Sequence, residues 1–331
     1  MILKNKYKII AEIGSVHDGK LSLAKKLIEK AAKSGADVVK FQMHIADEET
    51  LKNAPSPNYF KTEPRYSYFK RTAFNFEEWK KIIKFCKSNK VEFLCSPFSE
   101  KAVDILESLK VSSYKLPSGE LTNHPLIEKL KKTKKHIFVS TGMSNWKEID
   151  LAVNILKKNF TLMQCSSIYP CPNNKVGINI LSEIKSKYKC NIGFSDHTLG
   201  FSAAFASAAA GATIIEKHFT ISKKMYGSDA KHSMEPNDFK FLAKTIKDIW
   251  YIMMHPVNKN KINQYKSMRN IFQKSIVTKR YLRKGINLKI SDIDFKKPGN
   301  GIKALSYKNV LGKKIKKNLK KNILLKYSDL K

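Results

Sequence analysis

The sequence predicts an α/β chain: a closed (β/α)8 barrel, known as a TIM barrel, followed by a small, mostly β domain. Three observations carry that expectation. Eight apolar strand candidates alternate with amphipathic helical stretches through the first two-thirds of the chain. No Gly-x-Gly-x-x-Gly follows the first strand, which argues against a doubly wound open sheet. The tail repeats itself, as Lys284-Gly-Ile-Asn-Leu-Lys-Ile-Ser-Asp-Ile and Lys321-Asn-Ile-Leu-Leu-Lys-Tyr-Ser-Asp-Leu, an internal duplication in a piece of marginal size for its own core. The expected limits are residues 1–255 for the barrel, 256–268 for a linker and 269–331 for the tail domain.

The strand candidates are Ile9–Ile13, Val38–Gln42, Glu92–Ser96, Ser113–Leu116, Ile137–Ser140, Thr161–Cys165, Asn191–Phe194 and Ile214–His218. Between them, apolar residues recur at helical spacing in Leu21–Lys33, Phe76–Ser88, Lys101–Lys110, Leu126–Lys132, Lys147–Lys157, Ile178–Lys187 and the small-residue run Ser202–Ala210. Asn75 with Glu78 makes a capping box, and Gly35 stands where a helix ends in the left-handed region. A long proline-bearing aromatic segment, from Pro55 to Phe69, separates the second and third strands, and loops of that length suit a lid over the barrel mouth. A further helix runs from Pro236 to about Met254 and stops at His255-Pro256.

At 331 residues and 42% hydrophobic content the chain has material for a sizeable core. Its net charge of +35 raises nucleic-acid binding as a rival class. The lysines, however, are scattered over almost every predicted helix and no recognition motif accompanies them, so no nucleic-acid partner is expected. A positive field would still favour capture of an anionic substrate. The most apolar stretch, Phe201–Ile215, is too short to span a bilayer, so no membrane partner is expected. The first eight residues have no signal-peptide core, and five cysteines without a Cys-x-x-Cys suit reduced thiols; both point to the cytoplasm.

The strand ends carry the chemistry. They deliver Glu12; Lys40 and Gln42; Ser96; Lys115, Ser118 and Glu120; Ser140; Cys165 to Tyr169; Ser195 and His197; and His218. Polar groups at every strand's C-terminal end build no core, but that end is where barrel active sites form. His197 and His218 there imply a divalent-metal site. The lysines and serines supply donors for a phosphate or carboxylate, while Glu12 and Glu120 can orient water or exchange protons. No Walker sequence is present, so a nucleoside triphosphate is not expected. A Schiff-base aldolase using Lys40 or Lys217 is a second enzymatic possibility.

The stretches Ala11-Glu-Ile-Gly-Ser-Val-His-Asp-Gly19, Gly35-Ala-Asp-Val-Val-Lys-Phe-Gln42 and Ser96-Pro-Phe-Ser99 are accompanied by Tyr114-Lys-Leu-Pro-Ser-Gly-Glu120, Ser140-Thr-Gly-Met143, Tyr169-Pro170, Ser195-Asp-His-Thr-Leu-Gly200 and Glu216-Lys-His-Phe219. Together they resemble the sialic acid (N-acetylneuraminate) synthase family, and the tail resembles its antifreeze-like (SAF) domain. The resemblance implies condensation of phosphoenolpyruvate with an N-acetylated amino sugar, N-acetylmannosamine or a 2,4-diacetamido relative, to a nine-carbon acid. It implies a divalent metal on His197 and His218, most often Mn2+, with Mg2+ or Co2+ as alternatives. Lys40, Ser96, Lys115, Ser118, Ser140 and Ser195 would then surround phosphoenolpyruvate, with Gln42 nearby. Glu12, Glu120, Tyr169 and Asp229 would face the reacting water and the acceptor sugar. A homodimer is implied, with the SAF domain of one subunit acting in trans on the other's site. Three positions depart from the family pattern: Val16 stands for Asn, Ser167 for an Asn facing phosphate, and Lys297 for an arginine that reaches the acceptor. A lysine lacks the planar fork of that arginine.

Overall fold

A computed structural model describes residues 7–56 and 62–331. Eight parallel strands close into a barrel in chain order: β1 (Lys8–Gly14), β2 (Val38–Met43), β3 (Glu92–Pro97), β4 (Ser113–Leu116), β5 (His136–Ser140), β6 (Phe160–Cys165), β7 (Asn191–Asp196) and β8 (Ile214–His218), which pairs back onto β1. Outside them lie α1 (Leu21–Lys33), α2 (Ala46–Glu49), α3 (Arg65–Thr72), α4 (Phe76–Ser88), α5 (Glu100–Ser108), α6 (His124–Lys132), α7 (Trp146–Leu156), α8 (Ile180–Tyr188), α9 (Ser202–Ala209) and α10 (Pro236–Met253). The capping box of Asn75 and Glu78 starts α4 as its sequence predicts. No helix of the described residues is long and apolar enough to cross a membrane.

The period of two along a strand decides what fills the barrel. One interior layer is apolar, made of Ile10, Val38, Leu94, Phe138, Met163 and Ile214. Two residues further along the same strands come Glu12, Lys40, Ser96, Ser140, Cys165 and Glu216. The layer above the apolar plug is therefore polar and equally buried. The outward-facing positions, such as Ile9, Val39, Cys95, Val139, Leu162 and Ile215, join the large core between strands and helices.

The segment between β2 and α4 holds two short helices that the sequence pattern does not reveal, α2 and α3. In α3, Tyr68 is buried and the Phe69 ring stacks on His44 at 3.7 Å, so this part of the expected lid packs on the barrel. Residues 57–61 of the lid segment lie outside the described residues.

The chain divides into two compact units, Met1–His255 and Pro256–Lys331. In the second, α11 (Lys266–Phe272) begins inside the stretch expected to be linker. Strands β9 (Ser275–Thr278) and β10 (Ile293–Lys296) pair antiparallel. The duplication is visible in the hydrogen bonds. Asp292 accepts from Lys289 N–H and Asp329 from Lys326 N–H, at equivalent places in the two copies. Both aspartates are buried and each meets one cation, Arg280 at 2.6 Å and Lys317 at 2.8 Å. Leu282 and Leu319 occupy the same position in each copy and exchange both backbone hydrogen bonds at 2.9 Å. The copies thus meet about a local two-fold.

Candidate active site

At the C-terminal end of the barrel strands lies a cavity of about 540 Å3, within the usual range for small-molecule sites. Its floor is a run of alternating charges. Lys40 Nζ stands 3.1 Å from Glu12 Oε2 and 3.3 Å from Glu216 Oε1, and Lys115 Nζ stands 3.5 Å from Glu216 Oε2. Lys115 also donates to Ser140 Oγ (2.5 Å), Ser195 Oγ to Glu216 Oε1 (3.1 Å) and Gln42 Nε2 to Glu12 Oε1 (2.6 Å). Glu12, Lys40, Lys115 and Glu216 are all buried.

The charges do not all settle alike. Burial pushes the Glu12 carboxyl up to about 7, and the Lys40 ammonium only partly opposes it. Burial acts on Glu216 in the same direction, but Lys115 and Lys40 together outweigh it and bring this carboxyl down to about 2. Burial lowers Lys115, with Glu216 its main counter-charge; in Lys40 the same burial is overcome by Glu12 and Glu216, which hold it above the usual lysine value. Among the described residues, four buried side-chain atoms lack a hydrogen bond: Glu12 Oε2, Ser96 Oγ, Glu216 Oε2 and His218 Nδ1. The two carboxylate atoms have ammonium groups as ion-pair partners, Lys40 Nζ at 3.1 Å from Glu12 Oε2 and Lys115 Nζ at 3.5 Å from Glu216 Oε2. Buried polar atoms in this state are uncommon in folded proteins, and here those of Glu12, Glu216 and His218 belong to the cavity lining, where water, an ion or a substrate group can meet them.

Above the floor, the His197 and His218 rings are 5.5 Å apart. His197 Nδ1 donates to the Ser166 carbonyl (2.8 Å), leaving Nε2 to meet the Tyr169 hydroxyl at 3.1 Å. Burial takes His218 down to about 4, so its imidazole is neutral at pH 7. Two close approaches shape the rim. Gly142 donates its N–H to Ser118 Oγ, and a Cβ there would stand 2.5 Å from Ser167 Oγ and 2.8 Å from Cys165 Sγ. Gly14 ends β1 at φ +54°, and a Cβ there would collide with the Asp229 carboxylate.

Relatives place this arrangement. The NeuB family model matches residues 27–258 and the SAF domain model residues 273–331. This chain belongs to the NeuB family. It is 39% identical to the N,N'-diacetyllegionaminic acid synthase of Campylobacter jejuni subsp. jejuni serotype O:2, over 96% of this chain and 98% of that one. The enzyme of the same name from Legionella pneumophila is 32% identical over 94% and 91%. Among solved structures, the N-acetylneuraminic acid synthetase of Leptospira borgpetersenii, in complex with citrate, matches with a TM-score of 0.71 at 28% identity, covering 81% of this chain and 92% of that one.

The NeuB cavity is lined by Glu12, Lys40, Gln42, Lys115, Ser118, Ser140, Ser167, Tyr169, Ser195, His197, His218 and Asp229, all singled out from sequence. Ser96 is wholly buried at the end of β3, opposite Gln42. Glu120 stands off the lining, accepts from Asn123 Nδ2 (2.8 Å) and is raised by burial. Lys297 belongs to the second unit, where its ammonium lies over the Phe272 ring at 5.2 Å. Lys217 is not part of the lining. Its ammonium contacts Asp196 Oδ2 (2.7 Å) and the carbonyls of Thr198 (2.5 Å) and Gly200 (3.2 Å). An ammonium so engaged, outside the cavity, is no Schiff-base nucleophile. Sequence reasoning missed Glu216, which ties the two floor lysines together. Its signal was available, since Glu216 precedes His218 by one strand period and so faces the same way. His44, Arg65, Phe69 and Phe98 also line the cavity; Arg65 and Phe69 belong to the segment expected over the barrel mouth, whereas His44 was not singled out.

Proposed function

We propose that this enzyme condenses phosphoenolpyruvate with a 2,4-diacetamido sugar, giving a nine-carbon acid and phosphate. The observation that carries this reading is the floor, where two buried ammonium groups and several hydroxyls meet beside unsatisfied donors and acceptors. Lys40, Lys115, Ser96, Ser140 and Ser195 suit the phosphate and carboxylate of phosphoenolpyruvate, with Ser118 and Ser167 completing the donors near Gly142. The apolar wall of Pro55, Phe69, Phe98 and Met143 suits acetamido methyls, and the relatives named above make the diacetamido class the first acceptor to test.

In this reading C3 of phosphoenolpyruvate forms a bond to the aldehyde carbon of the open-chain sugar. Water then adds to C2, and phosphate leaves with cleavage of its C–O bond. A carboxyl raised to about 7 can take the proton of that water, which is the role of Glu12. Tyr169 and Asp229, both in the lining, orient the sugar, and close placement of the two substrates supplies much of the acceleration. The donor set fits a divalent ion such as Mn2+. His218 has a buried Nδ1 without a hydrogen bond, and the His197 ring stands 5.5 Å from the His218 ring. Held by His197 and His218, such an ion would supply electrophilic activation of the aldehyde.

The test incubates purified protein and Mn2+ with phosphoenolpyruvate and each of N-acetylmannosamine and the 2,4-diacetamido sugars. Equimolar phosphate is expected with a diacetamido sugar, together with a product whose mass is that of the two substrates plus one water, less phosphoric acid. Release of phosphate with none of the sugars would overturn the reading.

A further inference from the structure

A line of polar contacts runs from Glu49 through His44 and Gln42 to Glu12, and its first two members have no part in the roles above. Glu49 of α2 faces His44 Nδ1 with both carboxylate oxygens, at 3.0 and 2.9 Å, and accepts from Ile45 N–H at 2.8 Å. His44 Nε2 lies 3.0 Å from Gln42 Oε1, and Gln42 Nε2 donates to Glu12 Oε1 at 2.6 Å. The His44 ring is clamped between Phe69 at 3.7 Å and Phe98 at 4.2 Å, and both it and Glu49 have side chains no more than 5% exposed. A primary amide can present either end to a carboxylate, and only the NH2 end attracts it. With the Gln42 amide NH2 on Glu12, its carbonyl and the Glu49 carboxylate can only accept, so both ring nitrogens of His44 donate, Nδ1–H to Glu49 and Nε2–H to Gln42.

We propose that the His44–Glu49 pair is a positioning device for the reaction proposed above, on which it rests. The Nε2–H of His44 pins the Gln42 carbonyl, turns the amide NH2 toward Glu12 Oε1, and leaves Oε2 as the oxygen free to exchange a proton. Glu49, which is not in the cavity lining, fixes the ring from the other side. The other charged groups facing Glu12 are Lys40 of β2, Glu216 of β8 and Asp229, while His17, Glu120 and Arg65 surround the His44–Glu49 pair.

Without the Nε2 donor, the Gln42 amide can turn its carbonyl toward Glu12, which must then hold a proton to meet it. His44→Phe removes the donor and keeps a ring between Phe69 and Phe98. The full chain labelled with 13C at its glutamate carboxyls is titrated by NMR, with Glu12 identified through the signal lost in Glu12→Gln. The Glu12 midpoint should rise in His44→Phe by roughly half to one unit, a three- to tenfold tighter proton, as suits a lost hydrogen bond to a charged group. Adding His44→Phe to Gln42→Leu should change nothing further. An unmoved midpoint, or equal shifts with and without Gln42, would overturn the proposal. Wild-type protein carrying 15N-histidine gives a second measurement that needs no variant. The ring in contact with Phe69 and Phe98 should carry a proton on Nε2, and a bare Nε2 would overturn the proposal. Where phosphate release is observed, the acid limb of its pH profile should move with the NMR midpoint. Absence of turnover in wild type would sink the condensation reading while the titrations still decide the positioning.

Discussion

Glu216 and Lys217 are neighbours on β8, both buried and both charged, yet they face opposite sides of the barrel wall and behave as opposites. Lys217 faces outward and is saturated, held by a carboxylate and two carbonyls with a further hydroxyl, that of Thr198, at 3.4 Å. Asp196 uses its other oxygen to accept from Thr198 N–H, so the pair wraps the loop that carries His197. Glu216 faces inward among charges that leave one of its own oxygens, Glu12 Oε2 and Ser96 Oγ without hydrogen bonds. A buried ion pair whose atoms are all satisfied holds structure, whereas one left partly unsatisfied has capacity for a ligand. One residue's step along a strand separates the two.

The largest effect should come from breaking the outer pair. Lys217→Met leaves Asp196 buried and unpaired, which should cost about 3–5 kcal/mol and lower the Tm of the barrel correspondingly. Activity should fall with it, because the loop after β7 loses its anchor. An unchanged Tm would show that the outer pair holds nothing. On the inner face, His197→Ala or His218→Ala should abolish condensation and Mn2+ binding, followed by electron paramagnetic resonance, with the Tm lowered far less than in Lys217→Met. Full activity after exhaustive chelation would contradict this.

The two inner carboxyls should respond to pH with opposite sign. Because burial raises Glu12 from 4.5 to about 7, the folded chain holds that proton more tightly than the unfolded one, and stability falls as pH rises between those values. Glu216, brought down to about 2, contributes stability that is complete above the ordinary value of 4.5 and is lost as pH falls toward 2. In Glu12→Gln the decline of Tm between pH 4.5 and 7 should flatten; an identical slope would remove Glu12 from the account. The smallest structural effect belongs to an exposed lysine. Lys297→Ala orphans no buried partner, so Tm should be unchanged, while sugar turnover should drop if the SAF domain serves a partner's site. Mixing it with His197→Ala protein should then restore activity toward half, and no recovery after verified subunit exchange would mean that the domain does not act in trans.

Much of this was legible in the sequence because strand periodicity and barrel topology are written locally. β4 and β8 and helices α1 and α4 have the limits that the apolar pattern predicts, and the polar strand ends converge as barrel geometry requires. What escaped was set by tertiary placement. Glu216 sits between Lys40 and Lys115 only because β2, β4 and β8 face one axis, and no spacing along the chain records that. His44 gains meaning from Phe69 and Phe98, far apart in sequence and brought to either side of its ring by α3 and the end of β3. The short helices α2 and α3 carry too few residues for a periodic signal to stand out.

The contrast between the two faces of β8 is tested most directly by calorimetry of wild type, Lys115→Met and Lys217→Met, each with and without phosphoenolpyruvate. Binding to the folded state alone raises Tm, so the ligand reports the inner face and the unliganded Tm the outer one. Lys115→Met should lower the unliganded Tm less than Lys217→Met does, because Glu216 keeps Lys40 as a counter-charge, and should lose most of the rise that phosphoenolpyruvate gives wild type. Lys217→Met should lose the unliganded Tm itself. An intact phosphoenolpyruvate shift in Lys115→Met, together with a collapsed unliganded Tm, would reverse the assignment and contradict the account.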